Sequence, residues 1–252
     1  SGWKDQPTVS LNVRHAGEKF VLRGEEDWPI PRTNWTKFYL DPNGQMLTKT
    51  PASAEAAISY AATGDGLTFV SNPMEEETEF CGPIATKLWV SSDTEDADVF
   101  VVLRVFSPDL KEVVFHGALD PHTPVASGWL RASHRKLDDS RSEEWAPFHT
   151  HDVEELLEPG QIYELEIEIH ASGMVVPKGY RVALSIRGRD YVYPGEPDAG
   201  LSNMKNQFTG VGPFLHDDPD NRPTEVFENN VTVHISSNQA GYLLLPIIPP
   251  ES

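Results

Sequence analysis

The sequence has little cysteine, few positive charges and no long hydrophobic run. Cys81 is the only cysteine among 252 residues, so a disulfide within the chain and a Cys-x-x-Cys zinc site are both excluded. The longest apolar runs, at Val99–Val102 and Tyr242–Leu245, are far shorter than the ~20 residues that a membrane-spanning helix needs. We therefore predict a soluble chain without a membrane partner.

The charge is strongly unbalanced toward acid. Lys and Arg number 20 against 39 Asp and Glu, which gives a net charge of −19. Such a surface repels phosphates, so neither nucleic acid nor an anionic membrane is expected as a partner. The chain begins at Ser1 without an initiator Met or a signal sequence, and we interpret it as an internal fragment, a processed product or an expressed portion of a longer chain. The localisation stays unknown, with the cytoplasm favoured over secretion.

Recognisable catalytic motifs are missing as well. The sequence contains no G-x-S-x-G elbow, no phosphate-binding loop, no dinucleotide fingerprint and no H-E-x-x-H zinc motif. Ser133 and His134, close to Asp138 and Asp139, supply the residue types of a Ser-His-Asp triad, but adjacent residues on an extended chain point apart. We predict no catalytic residue, no cofactor and no metal ligand, and we expect this chain to be inactive alone.

Alternating hydrophobicity predicts β-strands. In Tyr163–Ile169 the apolar side chains face one way and three glutamates face the other, which is the period of a half-buried antiparallel strand. Arg181–Arg187 repeats this pattern, and Gly173 and Pro177–Gly179 supply turn residues between the two segments. These two strands are expected to form much of the core.

The rest of the chain is also rich in strand signals. Val99–Phe106, a Ser-Pro-Asp turn and Val113–Phe115 predict a hairpin with one deeply buried arm. Helical patterns are scarce, since Ala52–Ala62 is ambiguous and Val153–Leu157 offers a single turn. We expect one domain over residues 1–252. Further strands are predicted at Val9–Val13, Phe20–Arg23, Phe38–Leu40, Leu67–Val70, Ile84–Val90, Val231–Ile235 and Tyr242–Leu245. Long polar loops are predicted at Asn72–Thr78, Asp120–Ala126, Asp138–Glu144 and Tyr193–Asn221.

Several side-chain groups allow a binding function beside a structural one. His149 and His151 are spaced to share a strand face, but a third zinc ligand is not evident, so exposed or hydrogen-bonded histidines are the simpler interpretation. The acidic runs Asp93–Asp98 and His216–Asn221 could hold calcium but lack its loop spacing, and we interpret them as solvated turns. Cys81 is expected to be a small buried side chain.

Tryptophan is the remaining group with two interpretations. Five of these residues could line a sugar-binding groove, whereas packing in a core or interface is the more common role. Trp28 stands in an extended, proline-rich stretch that could cross a neighbouring surface. The five residues are Trp28, Trp35, Trp89, Trp129 and Trp145.

Five segments in order give the chain a resemblance to a known family. Glu26–Pro31 with Trp35–Leu40, Cys81–Ser92 with Asp96–Asp98, Gly128–Leu137, Pro159–Ile169 with Gly179–Ile186, and Tyr242–Pro246 are similar to successive parts of one domain. That domain is the C-terminal domain of the cocaine-esterase/X-Pro dipeptidyl-peptidase serine hydrolases. The resemblance extends over roughly residues 10–250, and the order of the motifs makes it specific.

The resemblance implies an all-β fold: a jelly-roll β-sandwich, galactose-binding-domain-like, with mostly antiparallel strands and little helix. In the family such a domain follows an α/β-hydrolase domain that carries the Ser-Asp-His triad beside a helical cap. None of the triad positions falls in this chain. Its implied partners are therefore the hydrolase and cap domains, with a homo-oligomer also considered.

Two functions from different classes follow. The first is a non-catalytic domain that braces the hydrolase and cap domains, with Trp28, Trp129, Arg131, His134 and Arg135 as the predicted interface, because aromatic and Arg side chains are enriched in interfaces. The alternative is a carbohydrate- or peptide-binding module, which fold analogy alone supports weakly. The resemblance implies that the parent protein is a serine hydrolase, although this chain alone is expected to be inactive.

Overall fold

Extended strands make up nearly all of the regular structure in the computed structural model, which describes residues 2–195 and 208–250. The strands are β1 (Val9–His15), β2 (Lys19–Glu25), β3 (Asn34–Asp41), β4 (Met46–Thr48), β5 (Ala56–Ala61), β6 (Leu67–Ser71), β7 (Thr78–Ser92), β8 (Asp98–Phe106), β9 (Ala126–Arg131), β10 (Tyr163–Val176), β11 (Arg181–Arg187), β12 (Asn230–Ile235) and β13 (Tyr242–Ile248). Helical structure is limited to 3-10 turns at Gly2–Asp5 and Ala132–His134 and to the four-residue helix α1 (Thr224–Phe227).

All strands join one hydrogen-bonded sheet. Its main path runs in the order β2, β1, β10, β7, β13, β3, β4, β6, β11, β8, β9, and β12 joins β5 to β7. The pairs are antiparallel except β1 with β10 and β4 with β6. Because β7 pairs with β10, β13 and β12, this long strand connects the parts of the sheet.

The sheet curls so that its last strand, β9, packs against β10, the third strand of the order. Although β9 closes the strand order, its backbone lies against β10: a Cβ on Gly128 would stand 1.9 Å from the carbonyl oxygen of Glu168. Nδ1 of His170 also lies 2.6 Å from the carbonyl oxygen of Ser127. Only a glycine permits so close an approach of two backbones. The curling converts one sheet into a β-sandwich.

The core lies between the two layers. Alternate side chains of β8, β10 and β11 are completely buried there, and the pairing of β7 with β10 brings Leu88 next to Leu165. Each such aliphatic side chain contributes about 1.5–3 kcal/mol on burial. The all-β, mostly antiparallel sandwich with little helix is thus confirmed, whereas its likeness to galactose-binding domains stays a prediction.

Most predicted strands are present, but the stretch between Tyr163–Ile169 and Arg181–Arg187 is not organised as predicted. β10 and β11 are not neighbours: β10 pairs with β7 and β1, and β11 pairs with β6 and β8. Gly173 is not a turn residue, because β10 continues through it, past a bulge between Ile169 and Ser172. Only Pro177–Gly179 turns the chain there, with the Tyr180 amide bonded to the Pro177 carbonyl. Alternation identifies a strand but not its partner.

Three smaller predictions differ from the structure. The turn after β8 forms, but the returning arm at Val113–Phe115 makes only isolated bridges and no regular strand. Val153–Leu157 is not helical, and the ambiguous alanine-rich segment contains β5. The short strand β4 and the strand β9 were not predicted. The central part of the predicted loop Tyr193–Asn221, residues 196–207, lies outside the described residues.

Across the two described ranges, no helix has the length and apolar character that a membrane crossing requires.

Candidate functional site

The outward face of β8 and β9 carries two cross-strand pairs. The strand register places Asp98 opposite Arg131 and Phe100 opposite Trp129. Because side chains two residues apart on a strand share a face, all four point to the same side of the sheet. Val99 and Leu130 point to the core and are buried.

Asp98 is the centre of a buried ion network on this face. It is 2% exposed and accepts hydrogen bonds from Nε and Nη2 of Arg131 at 2.9 and 3.0 Å. Nε of Arg222 lies 3.0 Å from the same carboxylate. The other nitrogens of Arg222 donate to the carbonyl oxygens of His216 and Gly188, both at 2.8 Å. One carboxylate therefore attaches the segment 216–222 to the sheet.

Trp129 lies beside this network and remains 47% exposed. Its ring stacks on Phe100, with centroids 6.2 Å apart, and contacts the His216 ring at 4.4 Å. Nδ1 of His216 is 2.9 Å from the Asp190 carboxylate, which fixes the imidazole. A cavity of about 370 Å³, here named the Trp129 cleft, opens between these side chains. It is lined by Asp98, Trp129, Arg131, Leu215, His216, Asp218, Asn221 and Arg222.

A second concavity, the histidine hollow, lies on the other side of Trp129. It measures about 430 Å³ and is lined by Trp129, Leu130, His149, His151, Glu168 and His170. Burial lowers the pKa of His149, and the neighbouring His151 and His134 lower it further. In the described ranges no group of three or more His, Cys, Asp or Glu side chains is arranged to hold a metal ion. At neutral pH the half-buried His149 side chain in the hollow is therefore mainly uncharged.

Arg135 and His134, two of the predicted interface residues, follow directly after β9. Nη1 of Arg135 donates to the carbonyl oxygens of Ala132, at 3.1 Å, and Glu155, and its guanidinium lies over the Tyr163 ring at 4.4 Å. His134 stacks at a tilt on His151 rather than on Trp129. The structure brings Trp129 and Arg131 together, while Arg135 holds the segment 153–157 against the sheet.

Trp28 belongs to a different surface, at the first strand of the sheet order. β2 pairs with β1 along its whole length, and no strand among residues 2–195 and 208–250 lies on its other side. Three consecutive apolar side chains of β2 are exposed: Phe20 at 45%, Val21 at 40% and Leu22 at 76%. Trp28 follows β2 and is 39% exposed. We name β1, β2 and Trp28 the β1–β2 ribbon.

The β1–β2 ribbon carries its own ion network. Glu25 is 7% exposed and accepts from Nη1 and Nη2 of Arg32 at 2.6 and 2.8 Å. Nε of Arg23 lies 2.8 Å from Glu25, and its Nη atoms donate to Glu79. The hydrogen bonds and charge of Arg32 lower the pKa of Glu25 below its usual value, against the opposing effect of burial. The ribbon is thus fixed to β7, which contains Glu79.

Neither serine–histidine contact in the described residues forms a catalytic arrangement. Ser133 is completely buried and donates its hydroxyl to Asp96 at 2.7 Å, which leaves His134 without a role in a triad. Oγ of Ser91 lies 2.8 Å from Nε2 of His234. In the described part of the chain, however, no carboxylate contacts His234, as the triad geometry would require.

The acidic run Asp93–Asp98 differs from the expected solvated turn. Asp96 and Asp98 are 4% and 2% exposed, because Ser133 and Arg131 of the β9 segment bond to them. Cys81 is buried as expected, and burial raises the pKa of its thiol to about 11. A thiol with this pKa is not a nucleophile near neutral pH.

The most organised features of the cleft leave only a weak signal in the sequence. His216, Arg222 and Asp190 were not predicted to lie near Trp129, because they come from segments far apart in sequence. The cross-strand pair of Asp98 and Arg131 depends on the pairing of β8 with β9, and β9 is too short and too mixed in composition to be recognised. An alternating Ala126–Arg131 pattern was the only available signal.

Comparisons with known proteins give a consistent result. The family model described as the X-Pro dipeptidyl-peptidase C-terminal non-catalytic domain matches residues 1–243. A CocE/NonD family hydrolase from Staphylococcus aureus has a crystal structure similar to this one, with a TM-score of 0.83 and 25% sequence identity; the alignment covers 98% of this chain and 43% of that chain.

Two curated relatives are similar over most of the chain. A Mycobacterium bovis protein provisionally named a serine esterase is 24% identical over 205 residues, which are 67% of this chain and 30% of that protein. Cocaine esterase of a Rhodococcus species is 22% identical over 223 residues, which are 73% of this chain and 34% of the relative. The chain thus spans about a third of the length of these relatives.

Proposed function

Because the chain belongs to the family of X-Pro dipeptidyl-peptidase C-terminal non-catalytic domains, we propose that it braces the α/β-hydrolase and cap domains of a larger serine hydrolase. The exposed apolar side chains of the β1–β2 ribbon carry the proposal. Three apolar neighbours on an edge strand with an unpaired side are a surface that soluble proteins normally cover.

The position of the ribbon in the chain favours the hydrolase domain as its partner. In a C-terminal domain the catalytic part comes earlier in the chain, and the turn Gly2–Asp5 leads directly into β1. Because a catalytic domain on the same polypeptide is tethered to this one, its effective concentration near the ribbon is raised. Trp28 extends the apolar surface toward β3.

The polar network under the ribbon supports the same assignment. Glu25, Arg23, Arg32 and Glu79 hold the backbone of β2 in place without any help from the exposed apolar groups. The ribbon is therefore preorganised. A partner that covers Phe20, Val21 and Leu22 binds with little loss of backbone conformational entropy in the ribbon.

The other predicted interface residues enter the proposal differently. The guanidinium groups of Arg131 and Arg135 are engaged within the fold, so Trp28 is the predicted residue that we place against the hydrolase domain. Contacts of Trp129, Arg131, His134 and Arg135 with a partner remain a prediction.

The experiment compares two exposed leucines. Leu22→Ser in the full-length hydrolase should lower the Tm of the catalytic domain, because a polar side chain replaces one buried at the contact. In the 252-residue chain alone the same change should alter the free energy of unfolding by less than about 0.5 kcal/mol. Leu110→Ser is the matched control, since Leu110 is 66% exposed but lies in the turn after β8.

Equal effects of the two substitutions on the full-length enzyme would contradict the proposal. A second copy of this chain is the competing partner for the edge of β2. Sedimentation of the 252-residue chain tests it, because a dimer that Leu22→Ser dissociates would assign the ribbon to self-association instead.

A further inference from the structure

We propose that the Trp129 cleft is a binding site for a neutral sugar ring. The cleft has about 370 Å³, within the roughly 300–1,000 Å³ of sites that hold small ligands. It combines a half-exposed tryptophan ring with a rim that offers both hydrogen-bond donors and acceptors. A pyranose has the complementary surface, with C–H groups on one face and hydroxyls around the edge.

The aromatic wall of the cleft is rigid. Trp129 is opposite Phe100 in the strand register and stacks on it, and His216 contacts the same ring at 4.4 Å. The Asp190 carboxylate holds His216 through both its backbone amide, at 2.6 Å, and its Nδ1. Although two rings support it, Trp129 keeps 47% of its surface exposed. An aromatic side chain fixed in this way loses little conformational entropy on stacking with a ligand.

The rim presents donors from a fixed guanidinium. Arg131 uses Nε and Nη2 for Asp98 and also donates from Nη2 to the carbonyl oxygen of Asn221. Among the contacts of the described residues, none involves its Nη1, which leaves two N–H donors on a side chain that lines the cleft. Because Asp98 holds the rest of the group, these donors are available at a fixed position.

Acceptors complete the rim. Asp218 is exposed and lines the cleft, and its carboxylate accepts only local bonds from the Asp220 amide and the Asn221 side chain at 3.0 Å. Since Nδ1 of His216 bonds to Asp190, Nε2 is the ring nitrogen that remains for a ligand. A hydroxyl both donates and accepts, so adjacent hydroxyls of a sugar can bond to Arg131 and Asp218 together.

The charges of the cleft select a neutral ligand. Two guanidinium groups, of Arg131 and Arg222, face Asp98, and Asp190 and Asp218 add two more carboxylates. An anionic sugar would be repelled by the carboxylate of Asp218 and by the chain's net charge of −19. A cationic ligand would be repelled by the guanidinium groups of Arg131 and Arg222. A ligand without net charge avoids both repulsions and keeps the hydrogen bonds.

The proposal is independent of the bracing role, because none of the residues that line the Trp129 cleft belongs to the β1–β2 ribbon. Its test uses the 252-residue chain and three probes: lactose, cellobiose and maltose. Isothermal titration should detect saturable binding of at least one disaccharide, with a Kd near about 1 mM. Trp129→Ala should weaken this binding at least ~10-fold, the effect expected of a lost stacking contact.

Trp28→Ala is the matched control, since Trp28 is also a half-exposed tryptophan but lies on the ribbon. It should leave the Kd unchanged. Trp129→Phe retains an aromatic face and should bind within ~5-fold of the original chain, which separates stacking from a fold defect. The Tm of each variant monitors the fold.

Three results would overturn the proposal. They are no saturable binding of any of the three probes tighter than about 10 mM, equal affinities of the Trp129→Ala and Trp28→Ala chains, and tighter binding of glucuronate than of the neutral probes. Each leaves the Leu22→Ser test of the ribbon unaffected.

Discussion

The Trp129 cleft and the β1–β2 ribbon use the same chemistry with different surroundings. In each, one carboxylate with little exposure, Asp98 or Glu25, forms ion pairs with two arginines. In the cleft the neighbouring Phe100 is 4% exposed, whereas in the ribbon Leu22 is 76% exposed. The difference shows that a polar network can hold a strand whose apolar side chains are not yet covered. The cleft is closed by contacts within this fold, whereas we propose that a partner covers the ribbon.

The strongest way to break this comparison is to remove the carboxylate of the cleft. Asp98→Asn keeps the shape but leaves the guanidinium groups of Arg131 and Arg222 without a counter-charge. Removal of one partner of a buried ion pair costs about 3–5 kcal/mol, and since Arg131 is a quarter exposed we expect about 3 kcal/mol. Urea unfolding of the 252-residue chain measures it.

Asp139→Asn is the control for Asp98→Asn, because Asp139 is exposed and should change stability by less than about 0.5 kcal/mol. A loss below about 1 kcal/mol for Asp98→Asn would mean that the network does not hold the segment 216–222.

The corresponding substitution in the ribbon, Glu25→Gln, should lower the free energy of unfolding by less than Asp98→Asn does. Glu25→Gln removes the charge between Arg32 and Arg23, but both arginines keep access to water and Arg23 keeps Glu79. We expect a loss of about 1–2 kcal/mol in urea unfolding at neutral pH. A loss equal to that of Asp98→Asn would remove the distinction between the two networks.

The pH dependence of Glu25 has a definite sign. Because Arg32 lowers the pKa of this carboxyl in the folded chain, its stabilisation is present above the ordinary value near 4.5 and is lost as the pH falls through the lowered pKa. Below pH 4.5 the stability of the Glu25→Gln chain should therefore fall less steeply than that of the original chain.

The sequence predicted the features of these two regions that depend on neighbouring residues. It did not predict those that depend on residues far apart in the chain. The apolar run in Phe20–Arg23 predicted β2, since such a strand signal is local. The resemblance predicted the sandwich and the absence of a triad. The Asp98 network was not predictable, because Asp98, Arg131 and Arg222 meet only after β8 pairs with β9 and the segment 216–222 folds over them. Composition instead indicated a solvated acidic turn.

The same limit applies to the partner of β10, which the sequence does not identify. Tyr163–Ile169 has a strict period of two, which a helix would not show, so the strand itself was predicted. Its neighbour β7 lies about 80 residues earlier, and pattern alone favours the next strand along the chain, β11. Partner choice depends on matching side chains across the sheet, which one sequence does not display.

The smallest expected effect concerns the histidine hollow behind Trp129. Burial lowers the pKa of His149 below 6.5, so the folded chain resists a proton that the unfolded chain accepts. As the pH falls below 6.5 the unfolded chain binds more protons, and stability decreases until the folded pKa is reached. His149→Gln should reduce this decrease, and the part due to His234, whose pKa burial also lowers, should remain. His116→Gln, at an exposed site, should keep the whole decrease.

The informative quantity for His149 is the slope of stability with pH, because a glutamine in the hollow also changes packing at every pH. Urea unfolding at several values between about pH 7 and pH 5 gives this slope. A flatter slope for His149→Gln than for His116→Gln would place the first acid-sensitive site on the cleft side of the molecule, at a higher pH than that of Glu25 in the ribbon. Parallel slopes would mean that protonation of His149 does not oppose folding, and the two regions would then differ only in their ion networks.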